Sequence, residues 1–119
     1  MISLDGRPII DHIVRYLARS PEVDNFVIVC EFDDHGKQII NYFEGKESIV
    51  GKQIVFVEDK KNGTGGAILN AETEIGSDES FIVWFADNIC ALDMDSLVNQ
   101  YKFLNESQKN SGKNIIGMV

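Results

Sequence analysis

Cysteine, proline and positive charge are all scarce in this 119-residue chain. The two cysteines, Cys30 and Cys90, form no Cys-x-x-Cys pair and have no ligand spacing with His12 or His35. That excludes a disulfide framework and a zinc-ribbon arrangement. It reads instead as buried free thiols in a reducing compartment. Eleven Lys and Arg stand against nineteen Asp and Glu, a net charge of −8. A protein that grips a nucleic-acid backbone needs a basic stripe to displace counterions. The nearest approach is Lys60-Lys61, so nucleic acid is not an expected partner. No apolar run reaches the length that spans a membrane, and no signal peptide opens the chain. The expected setting is therefore the cytoplasm, with no membrane partner.

What is present is enough for a core. The chain is 44% hydrophobic and 25% charged, a balance that suits a folded globular domain and not a disordered one. Ile9, Ile10, Ile13, Val14, Leu17 and Ala18 recur at helical spacing, with Pro8 suited to the first turn and Ser20-Pro21 to the stop. Residues 26–30 form a continuous apolar run, the pattern of a strand buried on both faces. Ile39, Ile40 and Phe43 mark a short helix closed by Gly45, and Ile54 to Val57 a second strand.

A polar turn over 59–66 leads to a helical face of Ala67, Ile68, Ala71 and Ile75, stopped by Gly76. Residues 81–85 read as a third strand. Met94, Leu97, Val98, Tyr101 and Leu104 form the next helix, with Asp93 or Asp95 near its start. A last apolar run begins at Asn114.

Strict alternation of helix and strand predicts an α/β fold: a mostly parallel, Rossmann-like sheet in three layers with helices on both faces. The opening segment is a connector into a helix with no strand ahead of it, and the final run has no helix to cover it. Residues 1–119 are therefore expected to be part of a single domain, incomplete at both ends.

Two features carry chemistry. Gly63, Gly65 and Gly66 lack β-carbons, so a ligand can lie against their backbone. Amides opening the next helix favour an anion or a polar base edge. The same composition also serves a plain strand-to-helix turn. It is neither a Walker loop nor a dinucleotide fingerprint, since both the Gly-Lys-Ser/Thr ending and the GxGxxG spacing are missing.

Asp87 follows an apolar run, at a place where open parallel sheets bind ligands. Mg²⁺ takes carboxylate oxygen and keeps water and substrate phosphate as its other ligands. The alternative for Asp87 is a surface loop aspartate that caps the next turn.

The ordered blocks Gly6-Arg7-Pro8-Ile9-Ile10, Gly63-Thr64-Gly65-Gly66-Ala67 and Phe85-Ala86-Asp87-Asn88 resemble the sugar-1-phosphate nucleotidyltransferases, across nearly the whole chain. The similar branches are the mannose-1-phosphate guanylyltransferase-like and glucose-1-phosphate thymidylyltransferase-like enzymes. The resemblance implies a transferase in nucleotide-sugar biosynthesis. A sugar 1-phosphate oxygen attacks the α-phosphate of a nucleoside triphosphate, and pyrophosphate leaves. It also implies that Gly63, Thr64, Gly65 and Gly66 wall the base, and that Asp87 is the catalytic ligand of a Mg²⁺ cofactor. Asn88 is a candidate substrate contact. Chemistry of this kind rests on positioning and charge neutralisation.

The chain departs from the family pattern in what it lacks. The family's first strand, its GGxGTRL-type loop and its Pro-Lys-Pro lysine have no counterpart here, and Arg7 does not replace them. Ala86 stands where many relatives have glycine. The missing strand would lie between 26–30 and 81–85. Its loss leaves an open sheet edge through which a homo-oligomer or a partner subunit could pair. A non-catalytic binding or regulatory subunit is accordingly the alternative to an enzyme.

His12 is expected on the polar side of the first helix. His35, after Asp33-Asp34, is expected in a loop whose aspartates favour a helix start. Trp84 is expected in the core.

Overall fold

The computed structural model describes residues 3–76, 80–88 and 92–110. The described chain opens with a miniature hairpin, β1 (Ser3–Leu4) against β2 (Arg7–Pro8), paired antiparallel. The two-residue turn between them, Asp5-Gly6, has φ of 51° and 76°. Positive φ at both central positions is the twist a tight hairpin needs, and Asp-Gly supplies it. The expected bare connector is therefore corrected to a hairpin.

α1 (Ile9–Ala18) follows directly, with Pro8 at its N-cap. It buries Ile13, Val14 and Leu17 on one face, as the helical spacing requires. β3 (Asn25–Cys30) and β4 (Gln53–Glu58) pair in parallel, in register from Asn25 opposite Gln53 to Cys30 opposite Glu58. Parallel neighbours need a crossover connection. Here it is α2 (Asp34–Phe43) and the single turn α3 (Glu47–Val50), which ends on Gly51 at φ 76°.

Asp33 caps α2, accepting from the backbone N–H of His35 at 3.0 Å and of Gly36 at 2.9 Å. This satisfies two of the amides that a helix start leaves without intrahelical partners. After β4 come α4 (Gly63–Asn70), the short α5 (Glu72–Ile75) and α6 (Met94–Asn110). Asp93 caps α6 through the Ser96 amide at 3.1 Å.

Two apolar clusters hold these elements together. Ile13, Leu17 and Met94 are buried with Phe26, Trp84 and Leu97 packed around them. Val14, Phe43 and Ile54 are buried with Ile28, Ile39 and Phe56 around them. Phe26 belongs to both, so the N-terminal end of β3 lies at the seam. Phe43 is fully buried, which contributes about 2–3 kcal/mol of transfer free energy.

Asp11 is also fully buried; its Oδ2 accepts from Arg15 Nε at 2.8 Å, while Oδ1 has no hydrogen-bond partner among the described residues. The Tyr42 hydroxyl nearby is pushed up in pKa, first by burial and then by the Asp11 charge.

The fold is mixed α/β, with one antiparallel and one parallel two-stranded sheet among the described residues. Of the expected three-layer, mostly parallel Rossmann-like sheet, the described residues show the mixed α/β character and one parallel strand pair. Residues 81–85 are not a strand. A strand exists only through ladder hydrogen bonds to a neighbour, and none of the described strands pairs with this segment. Phe81 and Phe85 are each 53% exposed in consequence.

β3 is likewise not buried on both faces. Residues 26–29 are only half-buried, because a two-stranded sheet offers each strand one neighbour. The apolar run beginning at Asn114 lies outside the described residues, as does Cys90. Cys30 is a buried free thiol, as expected. Burial raises its pKa, with the Asp33 and Asp59 charges adding to the shift, so the thiol stays protonated at neutral pH. No helix among the described residues is long and apolar enough to cross a membrane.

Candidate functional site

The glycine segment lies beyond the carboxyl end of β4, and Cys30 and Glu58 end the two parallel strands side by side. The Asp59 amide continues the contact between the strands by donating to the Cys30 carbonyl at 2.8 Å. The chain then turns sharply. The Asp59 Oδ1 accepts from the Lys61 amide at 2.9 Å, and Lys61 takes φ of 57°. A short side-chain acceptor two residues back is a common way to fix such a bend. Lys61 Nζ sits 3.2 Å from Glu31 Oε2, an exposed pair across the ends of the two strands. Exposed pairs of this kind add little stability.

The four glycine-segment residues are not a loop ahead of a helix. Gly63, Thr64, Gly65 and Gly66 are themselves the first turn of α4. Asn62 stands at the N-cap without a side-chain hydrogen bond to the helix amides. No side chain among the described residues caps the amides of this turn, and the helix dipole favours negative charge there.

The glycines are not equivalent. Among the described residues, a β-carbon at Gly63 or Gly65 would meet nothing within 4 Å, whereas one at Gly66 would fall 2.2 Å from Asn62 Cγ. Gly66 is buried, and its lack of a side chain lets the Asn62 amide fold back, where its Oδ1 accepts from Asn70 Nδ2 at 3.3 Å. Gly63 carries φ of 81°, a conformation suited to glycine. Gly63 and Gly65 thus border open space; Gly66 serves packing.

Asp87 occupies a different piece of local structure. The Asn88 amide donates to the Phe85 carbonyl at 3.0 Å, closing a turn over 85–88. Trp84 Nε1 donates to the Asn88 carbonyl at 2.9 Å and anchors that turn from the other side. The Trp84 ring packs on the Ile13, Leu17 and Met94 cluster. It is half-buried, the usual compromise for an indole whose N–H must find an acceptor. Asp87 and Asn88 are exposed at the turn. Asp87 makes no hydrogen bond or ion pair among the described residues.

The structure gives no ladder register relating Asp87 to the glycine turn, because 81–85 lies outside the sheet. No hydrogen bond or ion pair among the described residues joins Asp87 or Asn88 to residues 63–66. A cavity of about 370 Å³ lies elsewhere, between the end of α1 and the start of α6, with Tyr16, Arg19, Ser20, Met94 and Asp95 among its walls. Ser20 donates to Asp95 there, and Tyr16 to the Leu92 carbonyl. These bonds tie α6 to α1 and have no part in the glycine turn.

No group of three or more His, Cys, Asp or Glu side chains fit to hold a metal occurs among the described residues. A single exposed carboxylate is still a donor set compatible with Mg²⁺, which takes one or two carboxylates with water and phosphate.

Asp33 and Asp59 both turn out to organise backbone. Asp33 starts α2, as expected from the sequence. His35 is exposed in the first turn of that helix, not in the loop before it. His12 is half-buried, with Nε2 2.6 Å from the Leu4 carbonyl oxygen, so it ties the hairpin to α1 instead of facing solvent freely. Lys61 has a left-handed backbone and reaches Glu31, a role that its place in the Lys60-Lys61 pair does not indicate. The signal was Asp59 two residues ahead of it, the spacing of a side-chain-closed turn.

Comparison of the chain with protein-family models, with curated proteins and with solved structures returns no match.

Proposed function

We propose that the chain carries the base-side and metal-side elements of a sugar-1-phosphate nucleotidyltransferase. Its reaction is transfer of a nucleotidyl group from a nucleoside triphosphate to a sugar 1-phosphate, with GTP and mannose 1-phosphate as the first pair to test. The supporting observation is the uncapped first turn of α4, whose Gly63 and Gly65 border open space beyond the carboxyl end of a parallel strand. Ligands in open α/β sheets bind beyond that end.

In this role the α4 turn presents backbone to the nucleoside, since only glycine lets a flat base approach so closely. Asp87, exposed and without a partner among the described residues, would hold Mg²⁺, with Asn88 beside it for a substrate hydroxyl or phosphate. Bound there, the cation would supply charge neutralisation for the triphosphate and the departing pyrophosphate. The attacking oxygen comes from the sugar phosphate and the leaving group is pyrophosphate, so no protein nucleophile is required. The protonated Cys30 thiol has no part in it. A cytoplasmic setting, where thiols stay reduced, accords with that state.

A second function is favoured by one observation. Phe81, Ile82, Val83 and Phe85 are exposed in succession, the character of a surface that meets another chain. A non-catalytic subunit that kept the fold and pairs through this region would show the same feature.

Titration calorimetry with GTP, with and without Mg²⁺, tests the enzymatic role. Expected is Mg²⁺-dependent binding that weakens at least tenfold in Asp87→Ala at unchanged melting temperature. Binding that ignores both the cation and the substitution would overturn it, and pyrophosphate release with mannose 1-phosphate then tests the transfer itself.

A further inference from the structure

We draw no further inference here: the strongest candidate, the exposed apolar stretch of Phe81, Ile82, Val83 and Phe85 leading into the turn that carries Asp87, is an unpartnered apolar surface, and nothing in the structure shows what covers it.

Discussion

The indole N–H of Trp84 donates to the carbonyl of Asn88 at 2.9 Å, across the turn whose exposed tip is Asp87. The same ring packs on Ile13, Leu17 and Met94. A half-buried ring packed on the core thus anchors the turn that carries the Asp87 carboxylate. Local strand geometry is not required for this. The turn is closed by its own hydrogen bonds, although the segment before it is in no sheet.

Trp84→Phe keeps most of the apolar contact and removes the donor. The expected loss of stability is about 0.5–1.5 kcal/mol, the net worth of one hydrogen bond. Amide exchange at Asn88 should quicken more than exchange within α1. Equal protection at Asn88 in both proteins would show that the indole does not hold the turn.

Gly36→Ala should be among the most damaging single-carbon changes in the chain. A β-carbon there would lie 1.3 Å from the Glu31 carbonyl oxygen and 2.6 Å from its carbon. Backbone cannot swing aside as a side chain can, so the start of α2 must shift. The expected cost is about 3 kcal/mol or more, at or beyond the top of the usual overpacking range. The urea unfolding midpoint measures it directly. A midpoint within error of the unsubstituted protein would refute the close approach.

Asp33 makes stability depend on acid. Its pKa is lowered in the folded state, chiefly by the Gly36 amide hydrogen bond, with the Glu31 side chain and then the His35 amide contributing. A depressed carboxylate stabilises the fold above its unfolded pKa, and that contribution disappears as pH falls through the lower folded value. As pH falls from about 5 through the ordinary carboxylate range and below it, the unsubstituted protein should lose stability more steeply than Asp33→Asn. Asparagine still caps the helix but cannot titrate. Parallel acid limbs in denaturation curves for the two proteins would exclude this origin.

Arg15 and Asp11 form an unequal pair, since Asp11 is fully buried and the Arg15 side chain is 29% exposed. Removing the arginine strands a carboxylate in the interior. Arg15→Ala is therefore expected to cost about 3 kcal/mol, the low end for breaking a buried pair. Replacing both by leucine should cost less than the single change, because no buried charge is left behind. A double variant at least as unstable as Arg15→Ala would mean that packing, and not charge burial, dominates the site.

The elements that could be read from the sequence are those that local rules determine. The α1 face of Ile13, Val14 and Leu17, the cap of α6 at Asp93 and the starting role of Asp33 all follow from spacing and capping. Asp5-Gly6 is a hairpin-type dipeptide too, yet strands of two residues leave no apolar alternation to draw notice.

Other features depend on contacts that local rules do not fix. Residues 81–85 have strand composition, but a ladder needs a neighbour, and composition cannot supply one. The role of Gly36 depends on where the Glu31 carbonyl arrives, which no periodicity encodes. At the candidate site, the glycines at 63–66 announced a close backbone approach, and the structure distinguishes among them. Gly66 is occupied by Asn62, while Gly65 faces open space.

The most direct test is a ¹⁵N-resolved NMR titration of the chain with GTP and Mg²⁺, run beside Gly65→Ala. That substitution meets nothing within 4 Å among the described residues and should leave stability unchanged or raise it by about 0.5–1 kcal/mol, since alanine suits a helix better. The expected result is a joint shift of the residue 63–66 amides and those of Asp87 and Asn88, with binding weakened in Gly65→Ala although its fold is intact. Shifts confined to one of the two segments, or located instead at the cavity between α1 and α6, would contradict a common nucleotide site.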